Sequence, residues 1–182
     1  DWVSFERCTF RDKFDMRSAT LECGVSFNDS VFEGDALFRG AVVALKLEML
    51  RVRFEGLVDF SKAKLNDFVY LEEIEQGPEQ RWAFWNTISE KILITPQLVE
   101  GRLASEVSGK YEDAMREYGV LKRSFEYNNY YGYDDWAFYR FKVNERRARR
   151  ADWSQPLSKV REGLDWLFLD WGCGYGTRPI RA

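Results

Sequence analysis

Residues 32–41 read Phe-Glu-Gly-Asp-Ala-Leu-Phe-Arg-Gly-Ala, and this stretch decides the fold. Its two phenylalanines, Phe32 and Phe38, are six residues apart, and a small residue stands two positions before each of them, Ser30 and Ala36. This spacing fits neither the period of an α-helix nor the alternation of a flat strand. The stretch therefore predicts a chain that turns a corner after each very short strand.

The same spacing continues on both sides, in steps that alternate between five and six residues. Large apolar residues occupy thirteen successive centres, namely Phe5, Phe10, Met16, Leu21, Phe27, Phe32, Phe38, Val43, Met49, Phe54, Phe60, Leu65 and Leu71. The position two residues before each centre is mostly small or β-branched: Val3, Cys8, Phe14, Ala19, Val25, Ser30, Ala36, Ala41, Leu47, Val52, Val58, Ala63 and Val69. Faces that each point one large and one small side chain inward are typical of a stacked β-solenoid.

Residues 32–41, together with residues 54–63 (Phe-Glu-Gly-Leu-Val-Asp-Phe-Ser-Lys-Ala), resemble the pentapeptide-repeat family. The resemblance implies a right-handed quadrilateral β-helix with four units per coil, so that residues 1–71 would form roughly three coils. Phe14 and Leu47 are large where the family prefers a small residue, and local bulging is expected at both positions.

The repeat pattern stops at Leu71, and the remaining sequence has helical features. Residues 72–109 are expected to form capping and linking helices, and residues 110–150 an antiparallel α-helical hairpin with a turn near residues 128–132. Residues 151–182 are predicted to form an amphipathic juxtamembrane helix with a glycine-rich tail. The expected fold class is therefore β + α, a pentapeptide-repeat β-helix followed by a hairpin and a juxtamembrane helix.

The expected cap is a helix that opens at Pro78, because proline suits the first turn of a helix. The last coil of a solenoid needs a cover, since its core would otherwise meet water. The side chains expected to provide this cover lie at helical spacing and are Trp82, Trp85, Ile88 and Ile92.

The second half of the chain carries a further resemblance. Residues 118–129 and 134–147 are similar to the helices that follow the repeats in prokaryotic pentapeptide-repeat ion-channel proteins, and residues 164–179 are similar to their juxtamembrane segment. The resemblance implies a cytosolic domain that precedes a two-helix pore of the potassium-channel type, assembled from several subunits. The sequence contains neither pore helix, and because it starts at Asp1 we expect it to be a piece of a longer protein.

Two groups of residues are candidates for contact with a membrane. Aromatic residues that favour the membrane–water interface, and arginines beyond them, form the predicted membrane-proximal segment: Trp166, Phe168, Trp171, Tyr175, Arg178 and Arg181. Cations that could attract anionic lipid form the predicted basic surface: Arg140, Lys142, Arg146, Arg147, Arg149 and Arg150. The alternatives are that the tryptophans pack against the hairpin and that the basic run is a solvated helix face. Nucleic acid is a weaker third interpretation, because no recognition motif accompanies the charges.

The composition argues against catalysis. The chain has no histidine, which removes Ser-His and Cys-His nucleophilic pairs and the usual general base near neutral pH. Gly172, Gly174 and Gly176 follow a predicted helix instead of a strand, so they do not predict a phosphate-binding loop. The three cysteines lack metal-binding spacing, and their sparse, odd number suits a reducing compartment. We expect no enzyme activity, no cofactor, no nucleic acid and no identifiable small-molecule ligand.

The sequence thus favours a non-catalytic scaffold or regulatory domain that precedes the pore region of an ion-channel-like membrane protein. Its expected location is the cytoplasm at the inner face of the cell membrane, with a protein partner or a homo-oligomer. The alternative is a soluble pentapeptide-repeat scaffold for protein interaction. A DNA-mimicking topoisomerase inhibitor is favoured less, because that class uses a long acidic solenoid, whereas acids and bases nearly balance along residues 1–71.

Overall fold

The computed structural model describes residues 1–151, the last two by their backbone alone. Sixteen short strands in this range are followed by four helices. The strands are β1 Trp2–Ser4, β2 Thr9–Phe10, β3 Phe14–Asp15, β4 Thr20–Leu21, β5 Gly24–Ser26, β6 Val31–Phe32, β7 Ala36–Leu37, β8 Val42–Val43, β9 Leu47–Glu48, β10 Arg53–Phe54, β11 Leu57–Asp59, β12 Lys64–Leu65, β13 Val69–Tyr70, β14 Glu75–Gln76, β15 Arg81–Ala83 and β16 Ile92–Leu93. The helices are α1 Pro96–Val99, α2 Ala104–Val107, α3 Tyr111–Tyr127 and α4 Tyr133–Ala151.

The strands form four parallel sheets, with the orders β1-β5-β9-β13-β16, β2-β6-β10-β14, β3-β7-β11-β15 and β4-β8-β12. Each strand is only two or three residues long, and from β1 to β15 the next strand in the chain belongs to the next sheet. Between β15 and β16 the chain adds only an isolated bridge, from Ile88 to Lys64 of the fourth sheet. Trp2 pairs with Gly24 and Val25 with Leu47, so the chain advances by 22 residues per coil. The fold is therefore a parallel β-solenoid of about four turns, as the alternating spacing predicts. Phe14 and Leu47, where bulging was expected, both lie in paired strands.

Stacked aromatic side chains fill the solenoid interior. In one column the rings of Phe10 and Phe32 are 4.6 Å apart between centroids, and those of Phe32 and Phe54 are 5.1 Å apart. In another column Phe60 stacks on Phe38 at 5.1 Å. The predicted centres from Phe27 to Leu71 are all buried, whereas those of the first coil are half-buried because only one neighbouring coil packs on them.

Residues with positive φ form two columns at the corners of the coils, and all but one of them are residues other than glycine. The members of the first column have φ between 53° and 59° and charges that alternate in sign: Arg7, Asp29, Arg51 and Glu73. The members of the second, which includes one glycine, have φ between 55° and 69°: Ser18, Gly40, Lys62 and Asn86. Arg51 Nε lies 2.6 Å from Asp29 Oδ1 in the coil before it. The alternating charges thus let neighbouring corners of the first column attract one another.

The prediction that the repeat ends at Leu71 and that a helix starts at Pro78 is wrong. Strands β14, β15 and β16 pair in parallel with β10, β11 and β13, so the solenoid continues through Leu93. Ile92 is fully buried in β16 whereas Ile88 is 61% exposed, although a helix would place these two residues, four positions apart, on one face. Backbone pairing with the preceding coil satisfies these peptide groups and overrides the helical spacing.

An insertion at one corner explains why the fourth coil does not follow the apolar spacing of the first three coils. Phe54 pairs with Gln76, an advance of 22 residues, but Leu57 pairs with Arg81, an advance of 24. The corner at residues 77–80 therefore holds two extra residues. On the fourth face, Thr87 and Ser89 are buried polar residues where earlier coils carry apolar ones. Both changes interrupt the apolar spacing while the backbone keeps its stacking.

Helices α3 and α4 pack against each other as an antiparallel hairpin. Their connection at residues 128–132 contains Asn129 and Gly132, both with positive φ. The rings of Tyr118 and Phe125 in α3 meet Trp136 of α4 edge to face. Residues 72–109, predicted as capping and linking helices, contain helices only in α1 and α2. The juxtamembrane helix predicted for residues 151–182 lies outside the described residues apart from the backbone of Ala151.

Candidate functional site

The end of the solenoid is joined to the hairpin by polar side chains of α3 that bind the exposed edge of the last coil. The Ser124 hydroxyl accepts the Ile92 N–H at 2.7 Å and donates to the Ile92 carbonyl at 2.9 Å. Glu117 Oε1 accepts the Phe84 N–H at 3.1 Å. Since unpaired buried peptide groups are costly, α3 closes an edge that would otherwise need a further coil. We call this contact the solenoid joint and define it by Phe84, Ile92, Glu117 and Ser124.

The segment around α1 and α2 completes the cover. The Leu98 carbonyl accepts hydrogen bonds from Gln76 Nε2 and from Trp82 Nε1, both at 2.8 Å. Arg102 Nη1 donates to the Gly77 carbonyl at 2.8 Å, and the Arg102 carbonyl accepts the Trp82 N–H. A cap was expected from the sequence, but residues 96–125 supply it and Trp82 belongs to the coil being capped.

Glu117 is the unusual member of the solenoid joint, because it is a buried carboxyl that accepts its hydrogen bonds from uncharged donors. It is 1% exposed, accepts hydrogen bonds from the Ser105 hydroxyl and the Phe84 N–H, and has Asp113 and Asp59 nearby. Burial disfavours the charged form and outweighs the two hydrogen bonds, so the pKa of Glu117 rises to about 7. The joint therefore contains a group that changes protonation close to neutral pH.

We expect Glu117→Gln to stabilise the protein above pH 7 by about 2–3 kcal/mol, because glutamine removes a buried charge. A carboxyl whose folded pKa exceeds its unfolded pKa holds more protons when folded, so stability falls as pH rises from about 4.5 to about 7. Urea denaturation at several pH values measures this. The wild type should lose stability across this window, and the Glu117→Gln variant should not show that loss.

Glu126→Gln is the matched control, because Glu126 is exposed on the same helix and pairs with Lys122. This control should retain the pH dependence of the wild type. Equal pH profiles for the wild type and Glu117→Gln would contradict the raised pKa of Glu117.

A second buried carboxylate, Glu106, ties α2 to the hairpin. Its oxygens accept hydrogen bonds from Arg140 Nη2 at 2.7 Å, from Arg147 Nη1 at 2.8 Å and from the Tyr118 hydroxyl at 2.7 Å. Asn144 Nδ2 lies 3.4 Å from the same carboxylate. Burial raises the pKa of Glu106, but the hydrogen bonds from Arg140 and Tyr118 outweigh it and hold the pKa below its ordinary value. Glu106 is therefore a charged anchor, in contrast to Glu117.

The predicted basic surface is divided by this anchor. Arg140 and Arg147 turn toward Glu106, and Lys142 and Arg149 pair with Glu145 at 3.0 and 2.8 Å. Arg146 is half-buried and has an interaction within the protein. The Arg150 side chain lies outside the described residues. The sequence shows the cations but not the carboxylates that meet them, because Glu106 is 34 and 41 residues from its two arginines.

The membrane-proximal residues Trp166, Phe168, Trp171, Tyr175, Arg178 and Arg181 all lie outside the described residues. Within residues 1–151, none of the helices has the length and apolar character needed to cross a membrane. In the same part of the chain, no group of three or more cysteine and carboxylate side chains is placed to hold a metal ion.

The sequence of α3 contains features that indicate its side of the solenoid joint. Glu117 and Ser124 lie on the same helical face as the apolar residues Ala114, Tyr118 and Leu121. A carboxylate that is buried with such a face requires hydrogen-bond donors. The sequence does not identify those donors, since Phe84 and Ile92 contribute backbone groups, which every residue carries. Only the stacking of coils places them beneath α3.

A comparison with family models supports the repeat. A model described as Pentapeptide repeats (9 copies) matches residues 1–42. No curated protein and no solved structure shows significant similarity to the chain. The matched residues comprise β1 to β7 and the first residue of β8, and the same 22-residue advance continues beyond them through β9, β10 and their partners. Residues 1–42 therefore match pentapeptide repeats, and the β-solenoid to which they belong continues to Leu93 and is capped by the α-helices that follow it.

Proposed function

We propose that this chain is a non-catalytic scaffold or regulatory domain that precedes the pore region of an ion-channel-like membrane protein. The observation that carries the proposal is the solenoid joint, in which Glu117 and Ser124 fasten the hairpin to the peptide groups of the last coil. A stiff solenoid bonded in this way would pass a displacement at its surface to the hairpin and onward to residues 152–182. The solenoid is right-handed in this proposal.

The proposal places the domain in the cytoplasm at the inner face of the cell membrane and in a homo-oligomer. The residues that would approach the bilayer are the membrane-proximal aromatics and arginines named above. Support comes from the sequence of residues 164–179 and its resemblance to the juxtamembrane segment of ion-channel proteins. Tryptophan combines an apolar ring with one polar N–H, which suits the membrane interface.

A soluble scaffold for protein interaction is the second candidate. It is favoured by the engagement of Arg140 and Arg147 with Glu106, which leaves fewer cations on α4 free to attract anionic lipid. The topoisomerase-inhibitor class gains no such support. The first corner column alternates between Arg7, Asp29, Arg51 and Glu73, whereas a DNA mimic needs a continuous run of acids.

Binding to lipid distinguishes the two candidates. We expect residues 1–182 to sediment with anionic vesicles, because apolar insertion of Trp166 and Trp171 acts together with the attraction of nearby arginines, each worth about 1 kcal/mol. Higher salt should weaken the binding, and the double substitution Trp166→Ser and Trp171→Ser should weaken it further.

Vesicles of neutral phosphatidylcholine are the control for the charge contribution. Tryptophan fluorescence should shift to the blue on anionic vesicles only. A folded protein that neither sediments nor shifts at low salt would contradict the membrane proposal and favour the soluble scaffold.

A further inference from the structure

A cleft of about 460 Å³ lies where the hairpin turn meets the side of the solenoid end. One wall consists of Leu93 and Ile94 at the end of the last strand, with Glu72 beside them. The other wall consists of tyrosines of the hairpin turn, namely Tyr130, Tyr131 and Tyr133. The cleft is separate from the solenoid joint, whose Glu117 and Ser124 do not line it.

The aromatic wall is held in place by the backbone of the turn. The Tyr130 N–H donates to the Phe125 carbonyl at 2.9 Å, and the Tyr133 N–H donates to the Tyr130 carbonyl at 3.0 Å. The rings of Tyr130 and Tyr133 are 5.7 Å apart between centroids, and those of Phe125 and Tyr133 meet edge to face at 5.6 Å. Tyr130 and Tyr133, which are fixed in this way, lose little conformational freedom when a ligand enters.

The apolar wall is fixed by the solenoid. The Leu93 carbonyl accepts the Leu71 N–H, and the Glu72 carbonyl accepts the Arg51 N–H, so both residues are part of stacked coils. The Glu72 side chain is exposed at the cleft. Tyr131 is 83% exposed, so its ring contributes little to packing within the protein. Its hydroxyl donates to Oδ1 of Asn129, a neighbour that also lines the cleft.

Among the described residues, Glu72 is the one charged side chain that lines the cleft. Arg51 lies close to Glu72, since its N–H donates to the Glu72 carbonyl, but its guanidinium pairs with Asp29 at 2.6 Å. Among the described residues, no lysine or arginine lines this cleft, and the nearby Lys91 pairs with Asp67 at 3.5 Å. The faces of aromatic rings and a carboxylate both attract cations.

We propose that this cleft binds a small organic cation with a quaternary ammonium head. The methyl groups of such a head would contact Leu93 and Ile94, its charge would lie against the tyrosine faces, and Glu72 would supply the opposite charge. A primary ammonium fits less well against Leu93 and Ile94, because its three N–H donors each need an acceptor and these side chains offer none. The acceptors in the lining are Glu72, Thr95, Asn129 and the tyrosine hydroxyls. Because the cleft joins the hairpin turn to the solenoid, a bound cation would hold these two parts together.

Calorimetric titration of residues 1–182 with choline tests the proposal at constant ionic strength. Choline should bind at least about tenfold more tightly than its uncharged isostere dimethylbutanol, in which carbon replaces the quaternary nitrogen. Choline should also bind more tightly than ethanolamine, its primary-amine counterpart. Glu72→Gln and Tyr131→Leu should each weaken choline binding by about fivefold or more, and Tyr131→Phe should retain it.

Two matched controls guard against indirect effects. Glu73→Gln removes the neighbouring charge outside the cleft, and Tyr127→Leu removes a ring that is 48% exposed but does not line it. Both should bind choline as the wild type does. Equal binding of choline and the isostere, tighter binding of ethanolamine, equal losses in the controls, or no choline binding by the folded protein would each overturn the proposal.

Discussion

Phe60→Ala is expected to lower the free energy of unfolding by about 3–5 kcal/mol. The Phe60 ring is fully buried between Phe38 at 5.1 Å and Phe84 at 5.9 Å, so its loss interrupts an aromatic column in the middle of the solenoid. The cavity cannot close easily, because backbone hydrogen bonds fix the distance between coils. Urea denaturation followed by circular dichroism measures the change.

Phe68→Ala is the matched control for Phe60→Ala. Phe68 is only half-buried and lies beside Tyr70 and Lys91 on the outer surface, so its truncation should cost about 1 kcal/mol or less. Asp29→Ala at an exposed corner should also cost far less than Phe60→Ala. Equal losses in the three variants would show that the assignment of inner and outer positions is wrong.

Arg140→Met is expected to cost about 3 kcal/mol or more. The substitution keeps most of the apolar stem but removes the guanidinium that lies 2.7 Å from Glu106 and 3.3 Å from the Tyr118 hydroxyl. Glu106 would then be a buried carboxylate with only Arg147 as its charged partner. The same urea denaturation experiment measures this loss in the free energy of unfolding. Its physical cause would be the weakened contact between the hairpin and α2.

Glu106→Gln combined with Arg140→Met tests whether the loss comes from the unpaired charge. The double variant should be more stable than the sum of the two single losses predicts, because each single substitution leaves one partner unsatisfied. Lys142→Met is the control, since its pair with Glu145 is partly solvated and worth about 1 kcal/mol or less. A loss for Arg140→Met as small as that for Lys142→Met would contradict the role of Glu106 as an anchor.

The sequence predicted the solenoid interior because stacking repeats one local environment. Equivalent interior positions are occupied by Phe32, Phe38, Phe54 and Phe60. Because such positions recur at a regular spacing, the sequence reveals them without knowledge of distant contacts. The two long helices were also predictable, because their apolar residues recur at helical spacing. Their ends, Tyr111–Tyr127 and Tyr133–Ala151, lie close to the expected hairpin of residues 110–150.

The fourth coil and the solenoid joint could not be predicted in the same way. Two extra residues at the corner before Arg81 displace the spacing, and Thr87 holds its place in the interior by donating to the Phe60 carbonyl at 2.8 Å. Hydrogen bonds to backbone carbonyls leave no mark in a pattern of apolar residues. For the same reason the sequence identified the basic run on α4 but not its carboxylate partners.

The advance of 22 residues per coil over the first three coils gives this part of the molecule a modular length. Gly24 and Lys46 precede strand residues that occupy the same column, so removing or duplicating one complete coil would leave the neighbouring coils with equivalent partners. Each coil adds about 4.8 Å along the axis, the usual distance between paired strands. The distance between the first coil and the hairpin is therefore proportional to the number of coils between them. Duplication of the DNA that encodes one coil could lengthen this distance by one coil height without altering the capped end.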